Sequence, residues 1–155
     1  MKQTSVLLTL STVLLAACGN GGLAPRAEAL RLDATIGRST IGTGDTTSIV
    51  FRLRNLSRAP IVLSFLTSCQ VLPYITTPRA DQVVYPSGGG WGCYQVLTSL
   101  ALGPGAEHVT TVLVRGGAQA NGPAIALPPG EYRAYARLEQ PDHPLRSATI
   151  EFRVE

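Results

Sequence analysis

At 155 residues the chain has room for one domain with a single core and not for two. Apolar residues make up 45% and charged ones 15%, which excludes a disordered chain, while glycine and proline recur in turn-like pairs that favour many short strands over long helices. The basic residues are twelve Arg and Lys2, interspersed with the acids, and a net charge of +3 so scattered builds no basic stripe for nucleic acid.

The N-terminus sets the address. Lys2 supplies a positive start, residues 6–15 form an apolar run too short to span a bilayer, and Leu15-Ala-Ala-Cys18 closes it with small residues. This resembles the lipobox of bacterial lipoproteins. The resemblance implies a signal peptide over residues 1–17, diacylglycerol on the Cys18 sulfur and a membrane contact through that lipid; the alternative is a plain secretory signal that happens to contain a cysteine. Two or more acyl chains give stable anchoring at about 0.8 kcal/mol per buried methylene. Gly19, in place of Asp, leans towards the outer membrane, facing the periplasm or the cell surface, under the sorting rule of enteric bacteria. Residues 18–28 are Gly-rich and aperiodic, a tether of about 18 Å as a random coil. The folded domain is then expected over residues 29–155.

Strand patterns follow. Leu30, Leu32, Ala34 and Ile36 alternate with polar residues, residues 42–45 make a turn, and Ile49, Phe51 and Leu53 resume the alternation. Asn55-Leu-Ser57 matches a glycosylation sequon but reads as part of the turn over residues 55–59. Residues 61–66 are an almost unbroken apolar run suited to a central strand. Val71, Leu72, Tyr74 and Ile75 suggest a strand broken by Pro73, residues 82–85 another, residues 86–92 a loop, and residues 94–97 a further extended stretch. After a turn at residues 102–106, Val109 to Val114 are strongly strand-forming, and residues 115–123 connect onward. Tyr132, Ala134, Ala136 and Leu138 alternate with polar residues after the turn at Pro128, Pro129 and Gly130. Residues 140–144 read as a hairpin loop, and Ala148, Ile150, Phe152 and Val154 as the inward side of the closing strand. The sum is about seven to nine antiparallel strands, an all-β immunoglobulin-like sandwich. Within it, Tyr132 after Pro129 and Gly130 resembles the tyrosine corner of such sandwiches, the plainer alternative being an ordinary core tyrosine.

With Cys18 set aside for lipid, Cys69 and Cys93 remain as a pair in an exported, oxidising setting and are expected to form a disulfide, worth about 3.5 kcal/mol by chain entropy. A two-Cys metal site would need further ligands that the sequence does not supply.

Phe51-Arg-Leu-Arg-Asn55, Val62-Leu-Ser-Phe-Leu-Thr-Ser-Cys-Gln70, Trp91 through Leu102-Gly-Pro-Gly105, and Leu127-Pro-Pro-Gly-Glu-Tyr132 occur in that order. Together they resemble the BsuPI-like family of intracellular proteinase inhibitors and their secreted relatives, with Phe65, Ser68, Gln70 and Trp91 the most specific part. The resemblance implies an immunoglobulin-like fold and a protease-binding role. Leu72-Pro73-Tyr74 stands where that family has an acidic-aromatic pair, so the loops that would meet a protease are remodelled.

No metal or cofactor is expected, since His108 and His143 lack neighbours at ligand spacing, and no catalytic motif points to an enzyme. Gly88-Gly-Gly-Trp-Gly-Cys-Tyr94 is the candidate binding loop, with Trp91 and Tyr94 as its aromatic residues. Either Trp91 is an exposed anchor, or it folds back over the core or the disulfide. The functional expectation is an envelope-anchored, non-catalytic binding module engaging a protease or another envelope protein. The alternatives are a structural accessory of the envelope without a soluble ligand and a glycan-binding module.

Overall fold

The computed structural model describes residues 29–79, 81–117, 123–140 and 144–155. The signal segment, the tether with Cys18, and His143 lie outside the described residues.

Among the described residues twelve strands form: β1 Leu30–Ile36, β2 Thr40–Ile41, β3 Thr46–Asn55, β4 Ile61–Phe65, β5 Val71–Thr76, β6 Val83–Tyr85, β7 Thr98–Leu102, β8 Glu107–Gly116, β9 Ile125–Leu127, β10 Gly130–Leu138, β11 Leu145–Arg146 and β12 Ile150–Val154. Eight of these run five residues or more, and four are short edge pieces. Sheet A has the order β1-β3-β8-β9, and sheet B the order β2-β12-β10-β5-β6 with β11 beside β10. A two-stranded ribbon, β4-β7, stands apart from both. The long pairings are antiparallel, but β2 joins β12 and β9 joins β8 in parallel, so the expected all-antiparallel arrangement holds only for the main strands.

Alternation places the core. Leu30 and Leu32, then Ile49, Phe51 and Leu53, then Val112 and Val114 turn inward from sheet A; Tyr132, Ala134, Ala136 and Leu138 with Phe152 and Val154 turn inward from sheet B. The charged residues between them face out, among them Arg52 and Arg54 with Glu107 on sheet A, and Arg133 with Glu151 on sheet B. This is an immunoglobulin-like β-sandwich, and its tyrosine corner is in place: the Tyr132 hydroxyl donates to the Pro128 carbonyl at 2.8 Å while the ring stacks on Phe152.

Four local expectations are corrected. Residues 61–66 do not form a central strand: β4 pairs only with β7, and Leu63 and Phe65 point in while Val62 and Leu66 point out. The strand covered on both faces is β5, which is not broken at Pro73. Val71, Pro73 and Ile75 line up with the inward Leu138, Ala136 and Ala134, whereas Leu72 and Thr76 are buried on the opposite side. Pro73 fits because its partner Ala136 directs its own N–H and C=O to Ser147 and not to β5, so no donor is required there. Residues 94–97 form no strand, and regular pairing begins at Thr98. Ala148 is exposed and Ser147 buried, because the register on β10 slips by one residue between Arg137↔Arg146 and Ala134↔Ile150. That bulge exchanges the two faces, and the Ser147 hydroxyl completes the interrupted ladder by accepting from the Ala136 N–H.

Asn55 is fully buried, and it is the end of β3 and not a turn residue. Its amide nitrogen donates to the carbonyls of Ala59 (2.8 Å), Leu102 (2.9 Å) and Gly103 (3.1 Å), and its side-chain oxygen accepts from the Ser57 N–H and hydroxyl. Its backbone closes the turn after β7 through Gly105, whose φ of +71° needs glycine, and Ala106. We expect Asn55→Ala to lose about 2 kcal/mol in denaturant titration, because it removes the donor to the Leu102 carbonyl in its buried position together with the part-buried bonds to the Ala59 and Gly103 carbonyls. Asn55→Asp should cost at least as much, having no N–H to offer those carbonyls. A loss below about 0.5 kcal/mol for both, the range of ordinary surface changes, would contradict this account.

Candidate functional site

The segments around the disulfide carry the surface features that the core does not explain. β4 delivers Leu66, Thr67 and Ser68 to Cys69, and the loop after β6 delivers Trp91, Cys93 and Tyr94 to the start of β7. Cys69 and Cys93 are bonded, 24 residues apart in sequence and 5.5 Å between Cα atoms. Hydrogen bonds run alongside: Ser68 N–H to the Tyr94 carbonyl (2.9 Å), Tyr94 N–H to the Ser68 hydroxyl (3.0 Å), and the Thr98 hydroxyl to the Thr67 carbonyl (2.8 Å). A loop rich in glycine and poor in regular structure is thereby fixed at its base.

Its two aromatic residues part company on either side of Cys93. Trp91 is half-buried, edge-on to Tyr85 (5.3 Å between centroids) and to Tyr74 (6.4 Å). Tyr74 stacks on Tyr135, and the Arg146 guanidinium lies 3.9 Å over the Tyr135 ring. Trp91 therefore joins Tyr85 to the stacked Tyr74–Tyr135 pair on the outer face of sheet B. Of the two readings of Trp91, this placement fits the one in which it packs. Tyr94 turns the other way and is 78% exposed, beside Leu97 at 77%, Leu66 at 70% and Val96 at 50%. Leu66, Val96 and Leu97 line one shallow depression with Thr67 and Gln95.

The aromatic row was not legible in the sequence, since the Tyr135↔Tyr74 register that stacks two of its members is set by strand pairing alone. The exposed ridge of Leu66, Tyr94, Val96 and Leu97 left a signal that was available. Residues 59–78 and 82–106 contain no Asp, Glu, Lys or Arg, so any side chain exposed there lacks the usual charged cover.

Other surfaces offer less. The furrows on the outer face of sheet B run among Arg133, Tyr135, Arg146 and Glu151, where Arg133 is engaged by Glu151 and Asp81. His108 lies in β8 opposite Leu53. Among the described residues no three His, Cys, Asp or Glu gather as metal ligands, and no helix is long and apolar enough to cross a membrane. Burial raises the phenols of Tyr85 and Tyr132 above their ordinary value of about 10, and it does the same for Tyr74, where Glu139 adds to the rise and Arg137 opposes it.

No protein-family model matches the chain, and no curated protein matches it. Among solved structures it is similar to the CARDB domain of a Pyrococcus furiosus protein in complex with di-metal ions, at 17% identity and a TM-score of 0.47, over 83% of this chain and 90% of that one. It is also similar to a β-glucosidase from Erythrobacter marinus (14% identity, TM-score 0.47, 81% of this chain and 15% of that one). A third likeness is to an alkylpurine DNA glycosylase of Pseudomonas fluorescens bound to DNA containing an abasic-site analog (15% identity, TM-score 0.46, 82% of this chain and 30% of that one). The chain thus spans under a third of either enzyme.

Two measurements check this geometry. Cys69→Ala with Cys93→Ala should cost about 2–4 kcal/mol while leaving a β-type circular dichroism spectrum, because the bridge closes a loop and the core does not include it; alkylation of both cysteines in the unreduced domain would refute the bond. Stability should fall as the pH rises above about 10. The unfolded chain ionises its tyrosines there while the folded chain still holds the protons, so each further pH step favours unfolding. Tyr132→Phe should flatten that fall at the expense of about 1 kcal/mol at neutral pH, and an unchanged alkaline slope would rule out Tyr132 as a contributor.

Proposed function

We propose that this chain is a lipid-anchored module of the bacterial cell envelope that works by contact and not by catalysis, its contact surface being the ridge of Leu66, Tyr94, Val96 and Leu97. The anchor rests on Leu15-Ala-Ala-Cys18. The observation that carries the contact is that these four side chains stand in water on a backbone fixed by a disulfide and three hydrogen bonds. Fixing them in that state has no benefit to the core, and exposed contiguous apolar surface is the usual mark of a docking site. Preorganisation matters as much as area, because a loop already ordered loses little entropy on contact.

A second reading, a proteinase-inhibitor-like contact, is supported by one coincidence. Two of the four segments that carry the BsuPI-like resemblance, Val62 to Gln70 and Trp91 to Gly105, build the ribbon, the ridge and the stapled loop. An inhibitor in molar excess would slow envelope proteases in a substrate assay, and undiminished activity would remove that reading.

The main reading is tested by co-sedimenting residues 29–155 with envelope fragments, proteins and lipids together. The Leu66→Glu, Leu97→Glu double variant should be retained at least tenfold less, as truncating buried anchors costs 2 kcal/mol or more at an interface. Equal retention would sink the ridge as contact surface. In cells, fatty-acid incorporation should vanish in Cys18→Ser.

A further inference from the structure

We propose that the occupant of the ridge is the membrane itself: the outward face of the β4–β7 ribbon and the Tyr94–Leu97 tip lie shallowly in the lipid surface that holds the tether. This rests on the lipid-anchor reading above.

The face is larger than the ridge. Val62, 66% exposed, precedes Leu66 on the outward side of β4, and Ser99 and Ala101 face outward opposite Ser64 and Val62 on β7. Leu97 lies one step beyond the Phe65↔Thr98 pair, opposite Leu66. The face carries small hydroxyls, the Gln95 carboxamide and apolar side chains, and no charge, since the charge-free residues 59–78 and 82–106 supply all of it. A protein interface is enriched in Arg and edged by a polar rim. Lipid demands the opposite, because a charge taken into the acyl boundary loses its hydration without a fixed partner. Tyr94 at the margin suits the headgroup level, where an amphipathic ring keeps its hydroxyl wet.

The position of the tether selects the same occupant. Ala29 enters the domain bonded to Leu56, itself half exposed, and adjoining Asn55, whose amide holds the start of β4 and the end of β7. The anchor is thus attached at one end of the ribbon. A coil of the length from Cys18 to Ala29 would span about 18 Å, and a five-residue ribbon is about 17 Å long, so such a tether would let the face reach lipid along its whole length. An anchored domain faces that lipid at an effective concentration near the millimolar range, which lets a modest apolar face stay seated.

The test uses the full mature chain in phosphatidylcholine–phosphatidylethanolamine vesicles containing doxyl-labelled lipid. Leu97→Cys carries an environment-sensitive fluorophore, and Val109→Cys, exposed on sheet A, carries the same label as control. We expect the Leu97 label to shift to the blue and lose at least half its emission to the doxyl lipid, unchanged by added salt, while the Val109 label does neither. A Leu97 label as wet as the Val109 label on the vesicle overturns the inference, as does a shift that needs no vesicle and grows with protein concentration, which would make a second copy the occupant. Holding the chain by an N-terminal histidine tag on a nickel-chelating lipid reads docking even if Cys18 proves unacylated, so failure of the anchor is distinct from failure of the face. If the ridge variant loses envelope retention while the label stays wet on pure lipid, the partner is a protein and only this inference falls.

Discussion

The amide of Asn55 is the constraint on which the rest of the molecule depends. It sits where β3 ends, β4 begins, β7 ends and the tether enters, and it satisfies carbonyls from the segments on both sides of the ribbon. An apolar residue there would leave the Leu102 carbonyl without its buried donor, and a carboxylate would have none to give. A buried polar group of this kind contributes less to net stability than to uniqueness: only one arrangement of the surrounding chain satisfies it. The ribbon, which shares no ladder with either sheet, owes its orientation to this knot at one end and to the disulfide at the other.

Between those two fixed points the ribbon can present an uncharged face without unravelling. Leu63, Phe65 and Leu102 hold it to the core, and what remains outward is apolar by sequence and exposed by geometry. The charged residues crowd the outer faces of the two sheets instead, where Arg and Glu pair across strands. The molecule is therefore two-sided, with charge on the outer faces of the sheets and an uncharged face on the ribbon.

How much of this could be read beforehand follows the kind of force involved. Inward and outward alternation is written residue by residue, so β1, β3, β10 and most of β12 were legible, as were the tyrosine corner at Tyr132 and the pairing of Cys69 with Cys93. Apolar runs without alternation were not, because residues 61–66 and 71–76 are alike in composition; only the pairing partners decide that β5 is covered on both faces and β4 on one. The Ser147 bulge was hidden for a related reason, one inserted residue being invisible until the register on each side is known. Asn55 looked like a turn residue since its neighbours are turn residues. At the candidate site the loop was found through Trp91, whereas the exposed side chains are Tyr94 and the leucines and valine beside it.

The course of β1 has a mechanical consequence. Ala29 enters at the Asn55 end, and β1 runs the length of sheet A with all seven of its residues paired to β3. Glu155 lies at the far end, its N–H donating to Ile41 and its carbonyl accepting from Thr43. A pull on the tether against anything gripping the far end acts along the strands and loads those seven pairs in shear, all at once, instead of unzipping them singly. Tension between residue 29 and the far end would thus pass through the β1–β3 seam and leave the ribbon slack.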